Sequence, residues 1–142
     1  MPQIARKCVP FTPFERELSR ATVAIVSSAG VHRRDQTPFN IADDLGDLTF
    51  RIIGGGVNAA ELAVTHHHYD HTDADADINV VFPIELLREL AQEGFIGAVA
   101  PEHVGYMGFT MKLKEMYEQT APEIASEIDK KSRADIVVLT GG

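Results

Sequence analysis

Apolar positions along this chain fall into short runs separated by polar, turn-rich segments, and the runs predict strands and helices in alternation. Residues 22–28 form a continuous β-branched and small apolar run that stops at Ala29-Gly30, the pattern of a buried parallel strand meeting its loop. Residues 48–53 alternate and read as a second strand, broken by Gly54-Gly55-Gly56. A short strand follows at 62–65. The segment 82–94 predicts a helix, with Pro83 in its first turn, Ile84, Leu87, Leu90 and Ala91 on one face, and Gly94 just past its end. A strand is expected over 95–100, stopped by Pro101. Thr120-Ala121-Pro122-Glu123 has the spacing of a capping box, which places a helix start there. That helix buries Ile124, Ala125 and Ile128 and ends at Lys130-Lys131, where positive charge complements its dipole. Residues 134–140 read as a last strand. The expected fold is a single α/β domain over 21–142, a three-layer, mostly parallel sheet with flanking helices of Rossmann-like or flavodoxin-like type. Residues 1–20, with Pro10 and Pro13, read as an extended arm carrying a turn of helix at 14–18. Residues 31–47 read as a long loop, a kind of segment that often carries function.

Composition narrows the classes. At 142 residues the chain can bury one core, and 44% hydrophobic content is ordinary for a globular protein. A net charge of −8 argues against a nucleic-acid partner, which calls for a basic patch. No apolar run is long enough to cross a membrane, and the first residues lack the apolar core of a signal peptide, so a cytoplasmic protein is expected. The single cysteine, Cys8, excludes an internal disulfide and reads as an incidental thiol.

Candidate chemistry is concentrated in residues 65–77, which hold four of the six histidines. A core has no use for such a run; close imidazoles and carboxylates bind ligands or move protons. Ser27-Ser28, the segment 66–70, Ala100-Pro101-Glu102-His103 and Thr140-Gly141 each follow a predicted strand. If those strands are parallel, all four lie at one edge of the sheet, where open α/β sheets bind ligands. His66-x-His68-x-Asp70-His71 also resembles the zinc signature of the metallo-β-lactamase fold, so a zinc hydrolase with ligands His66, His68, Asp70 and His71, and His103 as a later ligand, is an alternative. Asp73-x-Asp75-x-Asp77 lacks the glycine and glutamate of a calcium loop. Gly54-x-Gly56-x-x-Ala59 lies too near the next strand to hold a dinucleotide. Tyr106-Met107-Gly108-Phe109 reads as a core plug or a loop packed on the sheet, with a substrate-facing lid as the alternative.

Several segments in order resemble the glycine/sarcosine/betaine reductase and D-proline reductase selenoprotein B family. They are 23–30 with Val31-His32, Pro38-Phe39, Gly46-Asp47 and Phe50-Arg51-Ile52-Ile53. His68-Tyr69-Asp70, Asp73-Ala74-Asp75, Asn79-Val80-Val81-Phe82-Pro83, Leu87-Arg88-Glu89-Leu90, 97–108 and Thr120-Ala121-Pro122-Glu123 continue the set. The resemblance implies reductive C–N cleavage of an amino acid or amine by a selenocysteine or cysteine, usually paired with a second cysteine, after the strand that matches 136–140. It casts His66, His68, Asp70 and His103 as the catalytic polar groups, and Ser28, Gly30, His32, Tyr69 and Met107 as the substrate-facing ones. It also implies partner reductase subunits, and an unfinished sheet edge suggests self-association into a homo-oligomer. This chain stops at Gly142, before the redox pair. A UGA selenocysteine codon read as stop gives that ending, which we expect in preference to a short paralogue. A non-catalytic subunit is a third class.

Overall fold

The computed structural model describes residues 12–142; Cys8 and the first part of the predicted arm lie outside the described residues. Within the arm, the turn of helix forms at Leu18–Arg20, a few residues later than predicted. The domain is α/β, with a mixed, mostly parallel five-stranded sheet. Strand β1 (Thr22–Ser27) is its centre. β2 (Val31–Arg33) and β4 (Leu62–Val64) pair antiparallel in a separate two-stranded sheet. β3 (Phe50–Gly54) is an antiparallel edge strand. β5 (Ala98–Val99), β6 (Glu102–Tyr106) and β7 (Ile136–Thr140) all run parallel to β1.

β7 lies along β1 from Val23 to Ser27, while β5 and β6 pair in turn with its start and end. Val23 pairs with Val99 but Val26 with Val104, so the partner chain carries two more residues than β1 over that span. This is a bulge, and Pro101 sits in it. Proline has no N–H to give a ladder, which is why it reads as the end of a strand. Here it only interrupts one: the chain resumes as β6, which the apolar pattern did not predict.

Successive side chains of β1 enter two cores. Val23 and Ile25 join Val31, Ile53, Phe82, Ile84 and Leu87. Ala24 and Val26 join Val104, Ile124 and Ile128 on the other face. Both faces of β1 are therefore covered, as its unbroken apolar run requires. Phe82 is fully buried in the first core, a burial that contributes roughly 2–3 kcal/mol. Helix α1 (Thr72–Ala76) is one short turn. Helix α2 (Ile84–Gln92) buries Ile84 and Leu87 and packs Leu90 and Ala91 behind them, the face its spacing predicted. Half-buried Arg88, one turn after Ile84, donates to the carbonyls of Gly55 (2.8 Å) and Val57, pinning the turn after β3. Arg88→Ala is expected to cost about 2 kcal/mol, since both carbonyls lose a charged donor. Urea unfolding reads the change, and a loss below about 0.5 kcal/mol would mean that the turn stands without it.

The last helix does not start at Thr120. The segments Leu113–Glu115, Met116–Thr120, Ala121–Glu127 and Ile128–Ser132 run on as one helix, α3. Thr120 has helical backbone angles, and its hydroxyl donates to the Leu48 carbonyl (3.1 Å) rather than capping a helix. Pro122 is tolerated inside α3 because the turn before it is a wide π-turn, in which the Ala121 amide reaches back to Met116. That loosening makes room where a proline ring would meet a normal helical carbonyl.

Candidate functional site

The C-terminal ends of β1, β6 and β7 meet at one edge of the sheet. The Ser28 amide and hydroxyl both donate to the Thr140 carbonyl, at 2.9 and 3.3 Å. The Gly108 amide donates to the Ser28 carbonyl (2.8 Å), and the Gly30 amide to the Tyr106 carbonyl (2.9 Å). Beneath them the hydroxyls of Ser27 and Thr140 both donate to the Val81 carbonyl, at 2.9 and 2.6 Å. The predicted alignment of Ser28 and Thr140-Gly141 at one edge is thus what the parallel order produces. Two parts of that expectation are corrected. Segment 100–103 is not at the edge, because the strand continues through β6. Segment 66–70 does not end a strand of this sheet, because β4 pairs only with β2.

The histidine segment still reaches the edge, by a different route. The Thr65 amide donates to the Gly30 carbonyl (2.9 Å), which carries the chain from β4 across the end of β1. Tyr69 then donates its hydroxyl to the Ala29 carbonyl (2.9 Å). Burial first, then the charge of Asp75, raises the Tyr69 phenol above its ordinary value, so it stays a donor at neutral pH. Gly141 and Gly142 pass beside Ser28 and against the Tyr69 ring.

His66 is buried, and its Nδ1 accepts the His68 amide proton (3.0 Å), which leaves its own proton on Nε2. Burial, then His68, His67 and His71, hold its pKa below the ordinary imidazole value. Exposed His68 lies flat on Phe109, ring centroids 3.4 Å apart. Desolvation and His67 lower its pKa, against the pull of Asp44. Both rings are therefore neutral near pH 7 and able to accept a proton. The apolar pattern singles out the cluster around Phe109 but not its contact: only the fold shows Phe109 as a platform for His68. The neighbouring loop is tied down by Lys112, which donates to the Asp43 carboxylate (2.8 Å) and the Gly46 carbonyl (3.0 Å).

The remaining predicted residues are placed elsewhere. Met107 is fully buried, bridged to Ala29. Buried His32 is held between the Arg33 carbonyl (2.8 Å) and the Thr65 hydroxyl (2.7 Å), with Phe39 at its ring edge. His103 is fully buried within β6 and accepts the Ile25 amide proton through Nδ1 (2.9 Å). Asp70 accepts from the amide and hydroxyl of Thr72, at 3.0 and 2.6 Å, and those bonds hold its carboxyl below the usual range. His71 pairs with Asp75 at 2.7 Å. The zinc set His66, His68, Asp70 and His71 is thus turned to four different partners. Among the described residues no three histidine, cysteine, aspartate or glutamate side chains are placed to hold one metal ion, so this arrangement does not fit the zinc alternative.

The fold and edge define an α/β domain with a polar site at the carboxyl ends of its parallel strands. The chain belongs to the glycine/sarcosine/betaine reductase selenoprotein B family, whose pattern it matches over residues 1–142. It is 44% identical, over 93% of its length, to 53% of the D-proline reductase subunit gamma of Acetoanaerobium sticklandii. It is 32% identical, over 99% of its length, to 32% of the glycine reductase complex component B subunit gamma of Symbiobacterium thermophilum. A sarcosine reductase complex component B subunit beta of Peptoclostridium acidaminophilum is 29% identical over 70% of this chain and 23% of its own. The chain thus spans about half the length of the first of these relatives and about a third or less of the others. No solved structure matches it. Among the described residues no helix is long and apolar enough to cross a membrane.

Proposed function

We propose that this chain builds the polar wall of a reductase site in a selenoprotein B subunit, with a selenocysteine or cysteine pair supplied by residues after Gly142. The reaction is reductive C–N cleavage. Two electrons from the selenol–thiol or dithiol pair enter the C–N bond, carbon and nitrogen each gain a proton, and the pair closes to a Se–S or S–S bond. The neutral imidazoles of His66 and His68 and the Tyr69 hydroxyl serve as proton-handling or substrate-binding groups. The observation that supports this reading is the convergence of Ser28, Gly108, Tyr69 and Gly141-Gly142 at one edge of the sheet.

D-Proline is the first substrate to test, given the identity to a D-proline reductase subunit over most of the chain. The subunit acts with others in a cytoplasmic complex. Its sheet is read as part of a Rossmann-like or flavodoxin-like three-layer fold. The test is to sequence the gene past codon 142, isolate the complex from its host and assay ring opening of D-proline to 5-aminopentanoate. The expected result is an in-frame UGA or cysteine codon downstream and dithiol-dependent turnover. A complete complex inert toward D-proline, glycine, sarcosine and betaine would overturn the proposal.

A further inference from the structure

The backbone of Gly142 rests on the ring of Tyr69. A Cβ on Gly142 would lie 2.3 Å from Cζ and 2.6 Å from Cε1 and Cε2, far inside any permitted contact. The ring has little room to withdraw. Its hydroxyl is bonded to Ala29, His66 packs at 4.8 Å between centroids, and His71 stands at 5.7 Å. On the other side, the Thr140 carbonyl is held by both donors of Ser28, and Gly141 passes close to the Ser28 hydroxyl. One aromatic side chain thus joins the loops that follow β1, β4 and β7.

We infer that Tyr69 is a positioning residue: its ring is the floor that sets where the chain beyond Gly142 enters the site, and a Cβ at 142 would push ring and backbone apart. The inference rests on the proposed function, because it assigns Tyr69 the task of placing the redox residue against substrate. A nucleophile displaced by an ångström loses about 100-fold in rate with little change in substrate binding. The ring, not the hydroxyl, carries most of the effect, since contact with Gly142 is through the ring face.

Two measurements test this. In the labelled chain, NMR should find the Gly142 α-protons shifted upfield relative to Gly141 by the Tyr69 ring current. The shift should persist in Tyr69→Phe and vanish in Tyr69→Ala. In the complete complex, Tyr69→Ala should lower kcat about 100-fold at nearly constant KM, and Tyr69→Phe should retain most of it. Gly142→Ala, which lies outside both cores, should lower kcat similarly, and the double variant should be no worse than Tyr69→Ala. Absence of the ring-current shift overturns the inference. So does an active complex in which Tyr69→Ala or Gly142→Ala leaves kcat unchanged, and in that case the proposed function stands. A complex inert toward every substrate defeats the proposed function and the positioning role together, even with the shift present.

Discussion

Replacing Gly105 by alanine is expected to cost about 3–5 kcal/mol, a large share of the roughly 5–15 kcal/mol that holds a domain together. Gly105 lies in β6, paired with Ser27 on one side and Arg51 on the other. Its α-carbon faces the carbonyl of Val31, the first residue of β2. An added Cβ would stand 2.0 Å from that oxygen and 2.9 Å from its carbon. Both obstacles are backbone, so no rotamer change relieves them. β2 would have to lift, yet Val31 is fully buried in the first core and Gly30, beside it, is bonded to Tyr106 and Thr65. Lifting β2 therefore exposes apolar surface and pulls on the loop after β1. Gly54→Ala is the control, because nothing stands within 4 Å of a Cβ there. Equilibrium unfolding in urea should show the first variant collapsing and the second changed by less than about 1 kcal/mol. Equal effects would mean that close approach to β2 is not what requires glycine.

The same position shows where sequence reasoning stops. β1, α2 and β7 were legible because their apolar residues follow strand or helix periodicity; the fold buries nearly all of β1 and one face of α2, while β7 leaves Val137 and Leu139 exposed. β6 was not. Glu102-His103-Val104-Gly105-Tyr106 has one aliphatic residue, a glycine needed for close packing and a histidine used as an internal acceptor. Each belongs to a long-range contact that no local pattern encodes. The Thr120 capping signal failed for a related reason, since its hydroxyl serves Leu48, far along the chain. At the sheet edge, the strand ends do bring Ser28 and Thr140-Gly141 together. The histidine segment's residues were legible by density alone, but their roles were not. Asp70 and His71 serve the first turn of α1, whereas Tyr69 bridges to the loop after β1. Spacing in sequence matched a metal motif, and the backbone then turned the side chains apart.

His103 leads to the second large effect, a loss of stability as pH falls from about 6.5 to about 4. Beside the bulge between β5 and β6 the Ile25 amide donates to Nδ1 of His103, 2.9 Å away. The imidazole proton must then reside on Nε2, which is buried and has no hydrogen-bond partner. A proton added at Nδ1 would break the bond to Ile25 and place a cation in the core beside Phe82 and near Arg88. Burial first, and the charge of Arg88 second, push the folded-state pKa down to about 4 from an ordinary 6.5. The unfolded chain therefore binds the extra proton first. Stability is intact above the unfolded value and falls through the interval between the two, by roughly 3 kcal/mol in all. His66 and His68 also have lowered values, so the measurement is a difference. His103→Asn keeps an acceptor for Ile25 without the titration, and its stability relative to the parent should rise as pH is lowered from 7.5 to 5. His103→Leu should show the same change in slope but start about 1–3 kcal/mol lower at neutral pH, because the Ile25 amide is left unpaired. Identical pH slopes in the parent and His103→Asn would place the acid sensitivity elsewhere.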